Sequence, residues 1–171
     1  VQHDAAGRAL AVREAEFMVR LASDLAAPAV RVFGGPLPSG VSIKEALPFA
    51  ADVFRRAIHY GAAHGVSILL ETHDPAWSQS ANAVALVEAA AAPAAGILYD
   101  VLHPCRVGET VDQTLATLKG YIRLVHLKDG RRPADGGEAW PQCMIGEGDV
   151  PLPAILEGLL AQDYDGWYTF E

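Results

Sequence analysis

The sequence predicts an α/β fold in which parallel strands alternate with helices. Five short apolar runs, mostly rich in β-branched residues, alternate with five segments of helical periodicity. Successive runs begin roughly 25 to 45 residues apart, which leaves room for a crossover helix and favours parallel pairing. Polar or charged side chains follow these runs abruptly, and ligands of parallel α/β proteins bind at such strand ends.

The helices are predicted from apolar residues at spacings of mostly three and four. In Ala9–Leu25, charged residues separate these apolar positions. The second helix begins at Ser42-x-x-Glu45, which resembles a capping box, and ends at Gly65. Three more helices are predicted at Asn82–Ala91, Thr110–Leu118 and Pro151–Ala161.

Five strands are predicted between and after these helices. They are Ala29–Phe33, Val66–Leu70, Gly96–Tyr99, Ile122–Val125 and Trp167–Glu171. Pro75–Ser80 is predicted as a loop, and Gly130–Gly148 as a long loop of the kind that carries function, because it is rich in glycine and has no period.

This order fits either an open doubly wound sheet or part of a (β/α)8 barrel. No G-x-G-x-x-G follows the first strand, so a dinucleotide-binding sheet loses support. A complete barrel needs about 250 residues. Five strands would therefore be about the last five of a barrel. The chain starts at Val1 rather than Met and stops directly after an apolar run, so we expect residues 1–171 to be a single barrel domain truncated at both ends.

Composition narrows the class of partner. The chain is 51% apolar and 20% charged, which is typical of a globular protein, and its net charge of −8 argues against nucleic acid as the main partner. Cys105 and Cys143 have no C-x-x-C spacing, so we expect reduced thiols in a cytoplasmic protein. No membrane segment is predicted. A partial barrel would expose sheet edges and apolar helix faces, which favours association, including a homo-oligomer.

Four strand ends carry residues that suit a metal ion: Glu71, Asp100, His126 and Glu171. Parallel strands bring their carboxyl ends to one edge of the sheet, so these side chains are expected to converge. Three carboxylates and one imidazole favour a divalent ion such as Mn²⁺, Mg²⁺, Co²⁺ or Zn²⁺. Each residue alone could instead cap a helix or pair with Arg, but equivalent positions on consecutive strands favour one shared site.

Further polar residues near the strand ends are candidates for substrate binding. His73 and His103 follow two of the predicted ligands closely, and either could contact substrate or lie on the surface. Lys128 and Arg132 could reach a hydroxyl, carboxylate or phosphate, or could be solvated loop charges. Asp129 could pair with one of these two cations.

Three loop residues have weaker claims. Glu147 could line the site or lie in a turn, while Trp77 and Trp140 could stack on a substrate or pack at the mouth of the barrel.

Taken together, four motifs resemble the xylose isomerase-like TIM barrels. They are Leu69-Leu-Glu-Thr-His73, Tyr99-Asp-Val-Leu-His103, Leu124-Val-His-Leu-Lys-Asp129, and Gly146-Glu-Gly-Asp149 followed by Asp165-Gly-Trp-Tyr-Thr-Phe-Glu171. More narrowly, they are similar to the sugar phosphate isomerase/epimerase group, which includes ketose 3-epimerases, hydroxypyruvate isomerase and inosose dehydratase.

The resemblance implies roles for individual residues. It implies that Glu71, Asp100, His126 and Glu171 are the metal ligands, that Glu71 and Glu171 also transfer protons, and that His103 contacts substrate. The expected activity is a metal-dependent isomerisation or epimerisation of a sugar or polyol-derived ketone through an enediolate, with dehydration as a variant. The alternatives are an endonuclease IV-like phosphodiesterase and a non-catalytic barrel derivative.

Overall fold

The computed structural model describes residues 4–92, 94–137 and 139–171. The predicted truncation point at Val1 lies outside the described residues. Within these ranges the strands are Ala29–Val32 (β1), Ser67–Glu71 (β2), Ala95–Asp100 (β3), Ile122–Leu127 (β4), Asp129–Gly130 (β5), Gln142–Cys143 (β6) and Trp167–Phe170 (β7). The helices are Ala5–Asp24 (α1), Ile43–Ala63 (α2), Asp74–Ser78 (α3), Ser80–Ala90 (α4), Leu102–Arg106 (α5), Val111–Leu118 (α6) and Leu152–Leu160 (α7).

Five strands form one parallel sheet in the order β1-β2-β3-β4-β7. The five predicted strands and their parallel pairing are therefore confirmed. Each connection between successive strands of this sheet passes through at least one helix, because parallel strands need a crossover connection. This order places the carboxyl ends of all five strands at one edge of the layer.

Two local predictions were wrong, and one short helix was not predicted. Pro75–Ser80 is not simply a loop, because α3 forms there with a proline near its start, where the missing N–H is tolerated. The short helix α5 follows β3 directly. The segment Gly130–Gly148 contains β6, which pairs antiparallel with β5 in a two-stranded sheet.

The capping box predicted for the second helix is confirmed. The Ser42 hydroxyl accepts a hydrogen bond from the Glu45 N–H at 3.3 Å, and the Glu45 carboxylate accepts the Ser42 N–H at 2.9 Å. Two orphan N–H groups at the start of α2 are thereby satisfied. Of the described helices, none is long and apolar enough to cross a membrane.

The two faces of the parallel sheet differ in what they bury. Val30, Ile68, Ile97 and Val125 point toward the helices and belong to the main apolar core. Because successive side chains of a strand point to opposite faces, residues such as Arg31 lie on the other face. That second face, together with the strand ends, carries the charged residues described next.

Candidate metal centre

The four predicted ligands converge at the carboxyl edge of the sheet. Glu71, Asp100, His126 and Glu171 each offer one ligand atom, and these atoms all lie within 4.8 Å of one another. Glu71 and Asp100 end β2 and β3, His126 lies near the end of β4, and Glu171 follows β7. The structure therefore brings the whole predicted set together.

Strand register explains this convergence. Asp100 and His126 are direct partners across β3 and β4, and His126 is in register with Thr169 of β7. A register irregularity at Ile97 and Leu98 shifts the pairing so that Asp100 and His126 align. Alternation along the strands then points these side chains away from the helix-facing core.

Two cations that were not predicted to lie there contact the carboxylates. Arg31 Nη1 lies 3.2 Å from Glu71 Oε2 and 3.3 Å from Glu171 Oε1. Lys128 Nζ lies 2.9 Å from Asp100 Oδ2 and 3.1 Å from Glu171 Oε2. Lys128 was predicted to bind substrate, and the structure places its buried ammonium within the ligand group.

Sequence reasoning missed Arg31. A signal for it existed, because Arg31 is the one charged residue in the run Ala29–Phe33 and alternates with Val30 and Val32. A charged side chain at an inward position of a short β-branched strand needs a polar partner. Its partners could not be identified without the three-dimensional arrangement.

The imidazole of His126 lies among the carboxylates. Its Nδ1 is 2.8 Å from Glu171 Oε2 and 3.6 Å from Glu71 Oε1. These contacts, led by the one with Glu71, raise the pKa of His126 although burial opposes the change. Burial alone would raise the pKa of Glu171, but its contacts with Lys128 and His126 lower that pKa to about 2.

The donor set fits a divalent cation. Glu71 and Asp100 are almost completely buried, and within the described part of the chain both oxygens of Glu71 and Oδ2 of Asp100 accept no hydrogen bond of good geometry. Burial raises the pKa of Asp100, with the Lys128 ammonium opposing it. Buried carboxylate oxygens beside an imidazole nitrogen are ligands that Mn²⁺, Co²⁺ or Zn²⁺ accept.

The two predicted substrate-binding histidines lie beside this centre. His103 Nε2 is 3.6 Å from Asp100 Oδ2, and the rings of His73 and His103 meet edge to face at 4.4 Å. The Arg106 guanidinium lies 3.0 Å from His103 Nδ1. Burial, followed by the nearby cationic groups, lowers the pKa of His103 to about 3, so its imidazole is neutral at physiological pH.

Arg132 packs against Trp140. Its guanidinium lies 5.0 Å from the centre of the Trp140 ring, and both residues line a cavity beside Cys105. Trp140 is buried there rather than open for stacking on a sugar. Trp77 is fully buried and donates its indole N–H to the Gly35 carbonyl at 2.8 Å.

Asp129 holds the loop that follows β4. Its Oδ1 accepts hydrogen bonds from the N–H groups of Gly130 at 2.8 Å and Val150 at 3.2 Å, and its Oδ2 accepts from Gly146 and Gly148 at 2.9 Å each. The predicted pairing of Asp129 with a neighbouring cation is replaced by these backbone bonds. Desolvation raises the pKa of Asp129, but the four donors together lower it below its ordinary value.

Glu147 is exposed on the surface of this loop, with its carboxylate 3.9 Å from Arg131. This position agrees with the second alternative for Glu147, in which it lies in a turn and does not line the site.

Comparison with solved structures identifies similar folds. A xylose isomerase domain protein from Planctomyces limnophilus is 25% identical and superposes with a TM-score of 0.78, covering 94% of this chain and 58% of that one. A D-allulose 3-epimerase from Methylomonas sp. in complex with D-allulose is 18% identical with a TM-score of 0.83, over 99% of this chain and 58% of that one.

A third similar structure is that of the IOLI protein with a bound zinc atom. It is 19% identical with a TM-score of 0.85, and the match covers 99% of this chain and 63% of that chain. The chain thus spans a little under two thirds of the length of these structures. Their likeness confirms that the five-stranded sheet is part of a TIM barrel.

The family model described as "Xylose isomerase-like TIM barrel" matches residues 1–171, the whole of the chain. Together with the strand-end ligand set, this match confirms the resemblance found in the sequence motifs. The chain belongs to the xylose isomerase-like TIM barrel family.

Proposed function

We propose that this chain carries a divalent-metal-dependent sugar isomerase or epimerase site, which acts on a ketose, sugar phosphate or inosose through an enediolate. One observation carries the proposal: three carboxylates and one imidazole from four neighbouring strands place ligand atoms within 4.8 Å of one another. A bound divalent ion would supply Lewis acidity toward a carbonyl oxygen and its neighbouring hydroxyl.

Glu71 and Glu171 are the proposed proton-transfer residues. Their carboxylates both contact Arg31 Nη1, at 3.2 and 3.3 Å, so they approach one point from different strands. One carboxylate removes the proton next to the carbonyl and the other returns a proton to the opposite face or the neighbouring carbon. His126 and Asp100 complete the ligand set.

His103 is the proposed substrate contact. Its neutral imidazole, buried beside Asp100, can donate to or accept from a sugar hydroxyl without bringing a charge. His73, packed against it, extends the same polar surface toward solvent.

Similar proteins support this class of reaction. The Methylomonas structure is of a D-allulose 3-epimerase with D-allulose bound, and the IOLI structure holds zinc. These properties belong to those proteins. They guide the choice of metals and sugars for testing this chain.

Metal binding is the first test. Isothermal titration of the metal-free protein with Mn²⁺ is expected to give one ion per chain, and the His126→Ala variant is expected to lose this binding. His59→Ala is the matched control, because His59 is exposed on α2 and should leave the titration unchanged. Equal binding by the wild type and His126→Ala would refute the proposed site.

Proton exchange is the second test, because it does not require the product to be known. The Mn²⁺-loaded protein is incubated in D₂O with ketoses and inososes, and deuterium entering the carbon next to the carbonyl is followed by NMR. Glu71→Gln should reduce exchange by about a thousandfold, within the usual range for loss of a catalytic base. Glu157→Gln on the exposed face of α7 is the control. Substantial exchange retained by Glu71→Gln would overturn the assignment of the base.

A further inference from the structure

The charges gathered at the metal centre do not cancel. Glu71, Asp100 and Glu171 bring three negative charges, while Arg31 and Lys128, which contact them directly, bring two positive charges. With a neutral His126, the group alone therefore carries one net negative charge. A divalent ion held by a neutral His126 reverses this to one net positive charge.

A net positive charge in a largely buried site favours an anionic ligand. Asp100 is 0% exposed and Lys128 is 5% exposed, so solvent screens these charges poorly. A neutral ketose would leave the positive charge in place. A substrate with one carboxylate would neutralise it, whereas a phosphate dianion would make the net charge negative again.

Of these two cations, Arg31 is the one that such a substrate can reach. Its side chain is 39% exposed, in contrast to the buried Lys128. Both of its ion pairs use Nη1, so the edge of the guanidinium formed by Nε and Nη2 is not part of them. This edge has the fork geometry that binds a carboxylate through two parallel hydrogen bonds.

An aromatic ring borders the same guanidinium. The Phe33 ring lies 4.8 Å from Arg31 Cζ and is itself half exposed. It also meets His73 edge to face at 4.9 Å, which connects Arg31 to the proposed sugar-binding surface. A carboxylate on Arg31 would therefore lie at one end of a surface that continues past Phe33 to the two histidines.

We propose that the substrate is a sugar-derived keto acid, and that Arg31 recognises its carboxylate. This inference rests on the proposed function, because the charge balance includes the divalent ion. It narrows the substrate from sugars in general to monoanionic carboxylates. It also gives Arg31 a role in specificity that the sequence motifs do not indicate.

A matched pair of ligands tests this inference. 2-Keto-D-gluconate and D-fructose differ only at the first carbon, which is a carboxylate in one and a hydroxymethyl group in the other. Titrated calorimetrically into the Mn²⁺-loaded protein, the acid is expected to bind at least about tenfold more tightly than the ketose. D-Fructose 6-phosphate is the third ligand, and it represents the phosphate class.

Variants at Arg31 test whether this residue is the source of the preference for the acid. Arg31→Gln should abolish the preference for the acid, Arg31→Lys should retain part of it, and Arg131→Gln, on the exposed loop, should leave it unchanged. Each variant is first titrated with Mn²⁺ to verify that its metal site is intact. If Arg31→Gln fails to fold, the comparison of the three ligands on the wild type still decides the substrate class.

The possible failures are distinguishable. Mn²⁺ binding with D-fructose bound as tightly as the acid would overturn this inference and leave the proposed function standing. Tighter binding of D-fructose 6-phosphate would assign the site to phosphates and overturn the carboxylate assignment. An acid preference that persists in Arg31→Gln would exclude Arg31 as its source. Absence of Mn²⁺ binding to the wild type would overturn both proposals.

Discussion

Replacing Asp129 by Asn removes half of the acceptor capacity that holds the loop after β4. Each carboxylate oxygen of Asp129 accepts two backbone N–H groups: Gly130 and Val150 on one side, Gly146 and Gly148 on the other. An amide keeps one of these oxygens. It directs an NH₂ group at the other pair of donors, which then have no acceptor.

The expected cost follows from this count. A hydrogen bond to a charged group contributes about 1.5 to 3 kcal/mol, so losing two would cost about 3 to 6 kcal/mol if the loop stayed rigid. Because the surface of this loop is exposed, the two N–H groups can turn toward water, which restores part of the lost free energy. We therefore expect about 3 kcal/mol of lost stability, which lowers the melting temperature by roughly 6 to 12 °C for a domain of this size.

Urea denaturation at pH 7, monitored by circular dichroism, measures the difference in free energy of unfolding between wild type and Asp129→Asn. Asp135→Asn is the control, because Asp135 is exposed in the same loop and accepts one N–H, from Gly137. A loss below about 1 kcal/mol in Asp129→Asn, comparable to the control, would refute the idea that this carboxylate organises the loop.

The same variant has a defined pH dependence. Because the folded-state pKa of Asp129 is lowered, its carboxylate stabilises the fold above the unfolded-state pKa of about 3.9 and loses this effect as pH falls through the lower folded value. The difference in free energy of unfolding between wild type and Asp129→Asn should therefore be constant near neutrality and shrink below about pH 4. A difference that grows as the pH falls would contradict this direction of the pH dependence.

Two further predictions concern packing and thiol chemistry. A methyl group at Gly148 would collide with the Asp129 carboxylate and the Gly130 carbonyl, so Gly148→Ala should lose about 1 to 3 kcal/mol of stability in the same assay. Wild-type stability in this variant would show that the loop has room to shift. Burial raises the pKa of the Cys105 thiol to about 11, so at pH 8 a disulfide reagent should modify the partly exposed Cys143 promptly and Cys105 only after unfolding in urea. Two thiols reacting rapidly in the native protein would refute this prediction.

The sheet could be predicted from the sequence because its strands are short, β-branched and separated by helices with clear periodicity. The ligand set could be predicted for a related reason. Parallel strands must present their carboxyl ends at one edge, so residues such as Glu71 and Asp100 meet wherever the strands pair in sequence order. The resemblance of the motifs to a known family added the proposed roles.

The features that were missed depend on contacts between distant parts of the chain. Arg31 precedes Glu171 by 140 residues, and no local pattern indicates that they meet. The four hydrogen bonds that Asp129 accepts come from three glycines and Val150, up to 21 residues away, in a segment without periodicity. The helix α3 was missed for a local reason instead, because its five residues are too few to show an apolar period.

The contact between Arg31 and Glu171 joins the strands at the two edges of the sheet, β1 and β7. Closing a loop of this length has a large entropic cost, and this cost must be met before the contact contributes any stability. The helix-facing core around Ile68 and Ile97 can form from nearer neighbours, whereas the ligand set is complete only after β7 has docked. Metal capture during refolding would therefore report the arrival of the last strand, and not the earlier collapse of the core.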